Sequence, residues 1–359
     1  MPISKKRNPS RMPPAVCSLT LWVAILSFIG ILIIRVSSQF EFAPVSFANH
    51  ILHIIIGAAI MTGLFFFDCT RLQKHPFAVL SAGLLLVIYC AVFGQSAGGV
   101  RQWISVAGFS ISVNHIASVL YIASFCALLE KCRNTGSKGI LALLLAGLIC
   151  GASLALLPSA SFILLLWITY TVLLVRAIYT HHFGGNSKKQ MIVVLSFCAA
   201  AVLLTSWFIA RHPFHQASGV ILQASRPFGT AMPLAQGSID QLIPEIAADF
   251  SLLNIIAHWG WIAGAALIAI ILKFIVQMWV TALRIRCPFG MTLALGSCIM
   301  LAAQFLLSLL INLGLFPYID ISLPFVSYGG TGYLASMIYT GFMLSALRSN
   351  AASAKNSCK

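Results

Sequence analysis

Ten predominantly apolar runs, at approximately 15–35, 48–67, 77–95, 113–130, 139–157, 158–178, 190–210, 251–283, 291–313 and 332–348, decide what this chain can become. A helix crossing a bilayer needs about 20 apolar residues. Backbone polar groups in lipid must be satisfied within the segment, which favours helices over open sheets. With 60% hydrophobic and only 8% charged residues, and without the strand-like alternation of a membrane barrel, the pattern predicts an all-α polytopic membrane protein with about ten transmembrane helices. Runs five and six are separated only by LLPSAS, a tight turn around Pro158. The eighth run is long enough to tilt or to project beyond the bilayer.

The formal charge of +15 would suggest nucleic acid in a soluble chain. Here it reflects basic residues collecting in cytoplasmic loops, and no nucleic-acid partner is expected. With the N-terminus inside, only Arg35, Arg101, Arg211 and Arg226 of the 22 lysines and arginines fall outside, and Lys273 lies within the eighth run. Both termini are then cytoplasmic. Of the seven acids, Glu41, Asp240, Glu245, Asp249 and Asp320 face out. The expected organisation is a basic N-terminus (1–14), a membrane domain (15–348) that includes an extracytoplasmic loop at 211–250, and a cytoplasmic tail (349–359). The first run resembles a signal peptide in its basic lead but is too long and lacks a cleavage site, so it reads as an uncleaved span.

The ten cysteines lie in apolar runs or at their cytoplasmic ends, without metal-ligand spacing or a disulfide framework. No Walker motif, dinucleotide fingerprint, HExxH or GxSxG is present, so nucleotide-driven chemistry has no support. Loop 211–250 is the long internal segment that lipid would not accept. A connection of that length is commonly functional or disordered, and Val220, Ile221, Leu222, Ile239, Leu242 and Ile243 give it something to pack with. It reads as a folded loop lying on the membrane body.

The most distinctive short stretch is LPFVSYGGT at 323–331. Its glycine pair suggests backbone that breaks helix and lets another group approach, or else a tight re-entry turn. In its wider form, GLFPYIDISLPFVSYGGTGYLASM, it closely resembles the signature of the SEDS family (shape, elongation, division and sporulation proteins, the RodA/FtsW/SpoVE group), approximately GLLPxxGxxLPFxSYGGSS. The ten-run layout and the large loop between runs seven and eight fit the same family, with weaker matches from about 95 to 345.

The resemblance implies a peptidoglycan glycosyltransferase that polymerises lipid II into glycan strands alongside a class B penicillin-binding protein transpeptidase, in contact with membrane lipids. Its outer-loop pattern LPExxTDFIF is matched by IPEIAADFSLL. That points to Asp249 as the catalytic residue, with Glu245 beside it. A carboxylate can act as general base on the sugar hydroxyl that attacks an anomeric carbon bearing a lipid diphosphate. Asp249 also precedes an apolar helix, where Asp commonly caps free backbone donors. For substrate binding the expected residues are Arg101, Arg211, Arg226, Glu245, His258, Ser327, Gly329 and Gly330. The arginines suit a diphosphate because guanidinium pairs bidentately with phosphate oxygens; a loop-surface or headgroup contact is the alternative for each. No cofactor is called for, although a divalent cation beside the diphosphate is compatible with this chemistry.

The chain also departs from the family. Where GAxRWIxxGxxxxQPSEFxK is usual, it reads GVRQWISVAGFSISVNHIAS, with Gln102 in the arginine place and His115 and Ser118 in the Glu and Lys places. LPSAS puts Ser159 where an acid is usual, and AHWGW puts His258 and Trp259 where two acids are. These departures leave two alternatives: a non-catalytic homologue that scaffolds or regulates a transpeptidase, and a transporter of lipid-linked precursors.

Overall fold

In the computed structural model, the described residues are 14–37, 46–97, 100–106, 109–157, 159–209 and 248–356, with 222, 225, 227 and 228 between them. Most of loop 211–250, including Arg211, Arg226 and Glu245, lies outside these residues. The ten runs appear as helices. They are α1 (Pro14–Ser37), α2 (Phe47–Phe66), α3 (Pro76–Phe93), α4 (Val113–Lys131), α5 (Ser137–Ala155), α6 (Ala160–Tyr179), α7 (Ser187–Ile209), the pair α8 (Ser251–Trp259) and α9 (Trp261–Leu283), α10 (Pro288–Asn312) and α11 (Gly330–Asn356). A short 3-10 helix, Cys69–Lys74, joins α2 to α3. Of the described helices, α1 to α6, α9 and α10 are long and apolar enough to cross a membrane.

Helix α11 is more polar than a lipid-facing span because it lies inside. Ser336 and Thr340 are buried, and their hydroxyls return to the carbonyls of Gly332 and Ser336 at 2.9 and 3.0 Å. Satisfying a hydroxyl within its own helix removes most of the penalty for burying it. Helix α11 packs against α2, α10 and α4, and α6 joins the same core through α10 and α4, with Tyr121, Phe125, Tyr170, Phe289, Phe305 and Tyr339 fully buried. Phe125 and Tyr170 stack at 3.9 Å between ring centroids. Large apolar side chains remain exposed on the outer helices, among them Ile55, Leu85, Leu141, Leu203 and Leu272, as a surface solvated by lipid requires.

Two features differ from the expected layout. The eighth run is not one long tilted helix. It breaks at Gly260, whose φ of +87° is a backbone state that L side chains rarely adopt. Helix α8 then folds back on α9, so closely that a Cβ on Gly264 would sit 2.5 Å from Ile256 Cγ1. The second feature is a three-stranded antiparallel sheet between α3 and α4: β1 (Gln95–Ala97), β2 (Val100–Val106) and β3 (Phe109–Ser112). Its register pairs Ser96 with Arg101 and Trp103 with Ser112. Valine, isoleucine, tryptophan and phenylalanine favour a pleated, half-buried surface, and outside the apolar runs such residues were free to pair as strands.

Candidate active site

Between α10 and α11 the chain runs without regular structure from Leu313 to Gly329 and passes over the start of α8. Contacts from three directions fix this irregular segment. Ser327 Oγ accepts from the Leu323 amide at 2.7 Å and shares a hydrogen bond with Ser251 Oγ at 2.8 Å, tying it to α8. Asp320 Oδ2 accepts from Gln102 Nε2 at 3.1 Å, tying it to β2, and Gln102 Oε1 in turn accepts from Asn114 Nδ2 at 2.7 Å. Gln304 Nε2 on α10 donates to the Ser322 carbonyl at 3.2 Å. A non-helical backbone at membrane depth is tolerated when protein buries it in this way.

Asp249 sits where this segment meets α8. The residue is only 6% exposed, and its carboxylate accepts from Tyr318 Oη at 2.7 Å. The next residue, Phe250, is buried and stacks on the Tyr318 ring at 5.5 Å. A hydrogen bond to an ionised oxygen is among the stronger ones, and the stacked ring holds its donor in place. The backbone is fixed as well. The fully buried Asn312, last residue of α10, donates from Nδ2 to the Asp249 carbonyl at 2.9 Å and to the Ser308 carbonyl at 2.8 Å, while its Oδ1 accepts from the Leu253 amide at 3.0 Å. Phe250, not Asp249, occupies the cap position of α8. The capping alternative is therefore corrected: the carboxylate stands one residue outside the helix and faces Tyr318.

The other expected residues fall into separate roles. Arg101 is exposed on β2, beside the Gln102 that reaches Asp320. His258 is half-buried on α8, and its Nδ1 meets the Asn254 carbonyl one turn back at 3.0 Å. Ser327 is buried with its hydroxyl engaged in bracing the segment. Among the described residues nothing lies within 4 Å of where a Cβ on Gly329 would project, whereas a Cβ on Gly330 would run into the His53 imidazole. Gly330→Ala is accordingly expected to destabilise the protein by roughly 1–3 kcal/mol, the usual cost of overpacking, and Gly329→Ala to leave it unchanged. Thermal unfolding in detergent compares the two.

His53 and its neighbour His50 escaped sequence reasoning. They lie three residues apart on α2 and so share a face, a spacing visible in the sequence but inside an apolar run. His50 is buried between the rings of Tyr328 and Tyr333, its Nε2 without a hydrogen-bond partner among the described residues. On the other side of the α11 start, Thr331 Oγ1 accepts from the Ser112 amide at 3.0 Å, and His115 packs on Gly332. Of the residues that replace family acids and lysine, His115, Ser118 and Ser159 lie inside the helix bundle, whereas His258 and Trp259 reach its surface. His115 Nδ1 meets Ser112 Oγ at 3.3 Å, and Ser118 Oγ meets Tyr339 Oη at 3.0 Å. Ser159 Oγ is buried without a hydrogen-bond partner among the described residues. Among the described residues, no three His, Cys, Asp or Glu side chains form a group fit to hold a metal ion.

The family model described as "Cell cycle protein", FtsW/RodA/SpoVE, matches residues 10–352. The chain belongs to the FtsW/RodA/SpoVE family. This SEDS protein is 26% identical over 325 residues to the probable peptidoglycan glycosyltransferase FtsW of Bacillus subtilis (strain 168), covering 82% of this chain and 78% of that one. It is 20% identical over 415 residues to the peptidoglycan glycosyltransferase RodA of Treponema pallidum (strain Nichols), covering 91% and 96%. Its fold matches a crystal structure of a mutant of the Rod shape determining protein RodA of Thermus thermophilus, with a TM-score of 0.71, 18% identity and coverage of 93% and 97%. It also matches a chain of a peptidoglycan synthase complex that coordinates polymerization and crosslinking, with a TM-score of 0.73, 20% identity and the same coverage. This SEDS protein is thus an all-α, multi-pass membrane protein.

Proposed function

We propose that the chain polymerises lipid II into glycan strands at the outer face of the cytoplasmic membrane, in cell-shape, division or sporulation wall synthesis, with Asp249 as general base. The observation that carries this reading is the buried Asp249 carboxylate, set by Tyr318 and by the Asn312 clamp at the family's outer-loop motif. In the reaction, the acceptor sugar hydroxyl attacks the anomeric carbon of the donor. Asp249 takes the hydroxyl proton, and the lipid diphosphate leaves with the electron pair of the broken bond. Positioned proton transfer of this kind contributes about 100- to 10,000-fold. Arg101, Arg211 and Arg226 would pair with the diphosphate, with Glu245 and His258 lining the approach. Changing all three arginines to Gln should abolish lipid II binding, and Lys replacements should restore only part of it, because an ammonium lacks the bidentate fork. Lipid II pull-down on the purified protein measures this.

The partner in this reading is a class B penicillin-binding protein, since related proteins are found in a synthase complex that both polymerises and crosslinks. Polymerisation of lipid II by purified protein, with and without that transpeptidase, tests the activity. The replacement of the family's interior acids and lysine by His115, Ser118 and Ser159 favours a second reading, a non-catalytic scaffold for the same transpeptidase. It takes over if wild type makes no glycan under either condition.

The basic-residue asymmetry supports an orientation with both termini cytoplasmic and the 211–250 loop outside. In a cysteine-free background, a cysteine replacing Gln236 is expected to react with an impermeant thiol reagent in intact cells, after permeabilisation of any outer membrane. One replacing Ser187 should react only after lysis. The opposite pattern would invert the protein and move the site to the wrong face.

A further inference from the structure

Lys273 lies near the middle of the 23-residue α9 and is exposed. No acid lies within ion-pair distance of it among the described residues. A lysine at mid-span is among the costliest residues to leave facing lipid, and where one occurs it usually faces a polar cavity. Here it lines a cavity of about 430 Å³ between α9 and the beginning of α1. Gln277, Thr281 and Arg284 follow Lys273 along the same helix face at intervals of four, four and three residues and line the same cavity. Together they form a polar ladder from mid-span to the end of α9. Gln277 is already committed: its Oε1 accepts from Trp22 Nε1 at 2.6 Å, and its Nε2 donates to Ser18 Oγ at 2.5 Å. It fastens α1 to α9, and above and below it the side chains of Lys273 and Arg284 have no ion-pair or hydrogen-bond partner among the described residues.

We propose that this groove binds an anionic phospholipid, its phosphate held between Lys273 and Arg284 and its acyl chains running over Val276 and Val280. The two cations stand 11 residues apart, roughly 16 Å of helix rise. A lysine stem that snorkels toward the interface and an arginine stem reaching back close much of that distance. The volume of about 430 Å³ is roughly that of one turn of a helix about 10 Å across, so a whole spanning helix does not fit within it. Its two cations match a phosphodiester rather than a zwitterion. The inference does not depend on the glycosyltransferase reading or on which way the chain faces.

The test is native mass spectrometry of the full-length protein taken from nanodiscs containing equal amounts of phosphatidylglycerol and phosphatidylcholine. Wild type should retain phosphatidylglycerol preferentially. Lys273→Met and Arg284→Gln should each lower that retention by about fivefold, the usual contribution of one basic residue near an anionic surface. Lys273→Arg should keep it, and Lys188→Gln, a cation outside the groove, should not change it. Size-exclusion chromatography confirms that the variants are folded, with Lys273→Gln as a second neutral variant if Met aggregates. Equal retention of both lipids, or unchanged phosphatidylglycerol in the variants, would overturn the proposal. So would variants that lose a co-purifying membrane partner while holding lipid normally, since that assigns the groove to protein.

Discussion

Asp249→Asn is expected to reach the membrane at wild-type abundance, to hold its partner, and to make no glycan. Asparagine keeps an oxygen at the place where Tyr318 Oη now donates at 2.7 Å, so the local structure survives with a weaker, uncharged hydrogen bond. What it loses is the capacity to take a proton, a loss of about 100- to 10,000-fold in rate that a gel assay of lipid II polymerisation resolves easily. Asp249→Ala should be equally inactive and less stable by roughly 1 kcal/mol. That cost arises from the abandoned Tyr318 hydroxyl, because Phe250 holds the cap position. Two outcomes would revise the account. An Asn variant that polymerises as well as wild type removes the base from Asp249 while leaving the fold untouched. A wild type that makes no glycan, with an Asn variant that fully complements a deletion strain, makes the protein a scaffold.

Asn312→Leu should be the most damaging single change for folding among the residues around Asp249. The asparagine is fully buried and satisfies three backbone groups, the Asp249 and Ser308 carbonyls and the Leu253 amide. Leucine has the same branched skeleton but is bulkier, and it satisfies none of them. The Ser308 carbonyl loses only an additional donor, since it sits within α10. The Leu253 amide loses its buried acceptor at a cost of about 1–3 kcal/mol, and the Asp249 carbonyl loses this donor as well. The expected result is a large fall in melting temperature and loss of polymerisation together. Asn312→Asp keeps an acceptor for Leu253 but turns a carboxylate oxygen toward the Asp249 carbonyl, so it should recover only part of the stability. Thermal unfolding in detergent, read beside the polymerisation assay, separates this variant from Asp249→Asn, which loses activity alone.

The membrane architecture was legible because hydrophobicity is set by long stretches, and errors of one or two residues at helix ends do not change which runs cross. Short-range geometry was not. Nothing in the apolar composition of 251–283 distinguishes one long helix from two folded at Gly260, since a single glycine within a helix is ordinarily tolerated at modest cost. The sheet at 95–112 went unread because its strands are brief and their partners adjacent, leaving little period to detect. At the site, the motif led to Asp249 and Ser327, but the residues that hold them are Tyr318, Asn312 and Ser251. These are ordinary polar residues at element ends, and only tertiary contact gives them a role. Gln102 is instructive: read as a missing arginine, it is an amide that gives to Asp320 and receives from Asn114 at once, which a guanidinium, having no acceptor, cannot do.

The fold-back at Gly260 makes this region sensitive to phase rather than to chemistry. Gly264 must present its bare face to Ile256, and each residue added to a helix turns everything beyond it by about 100°. One alanine inserted between Trp261 and Ile262 would rotate a side chain into the place the glycine leaves empty, prising α8 from α9 although every original residue is still present. The same alanine added after Arg284, beyond the end of α9, would shift no contact of this pair. A single-residue insertion scan through 255–290 should therefore show an abrupt edge of intolerance, placed by helical indexing and not by any one side chain's function.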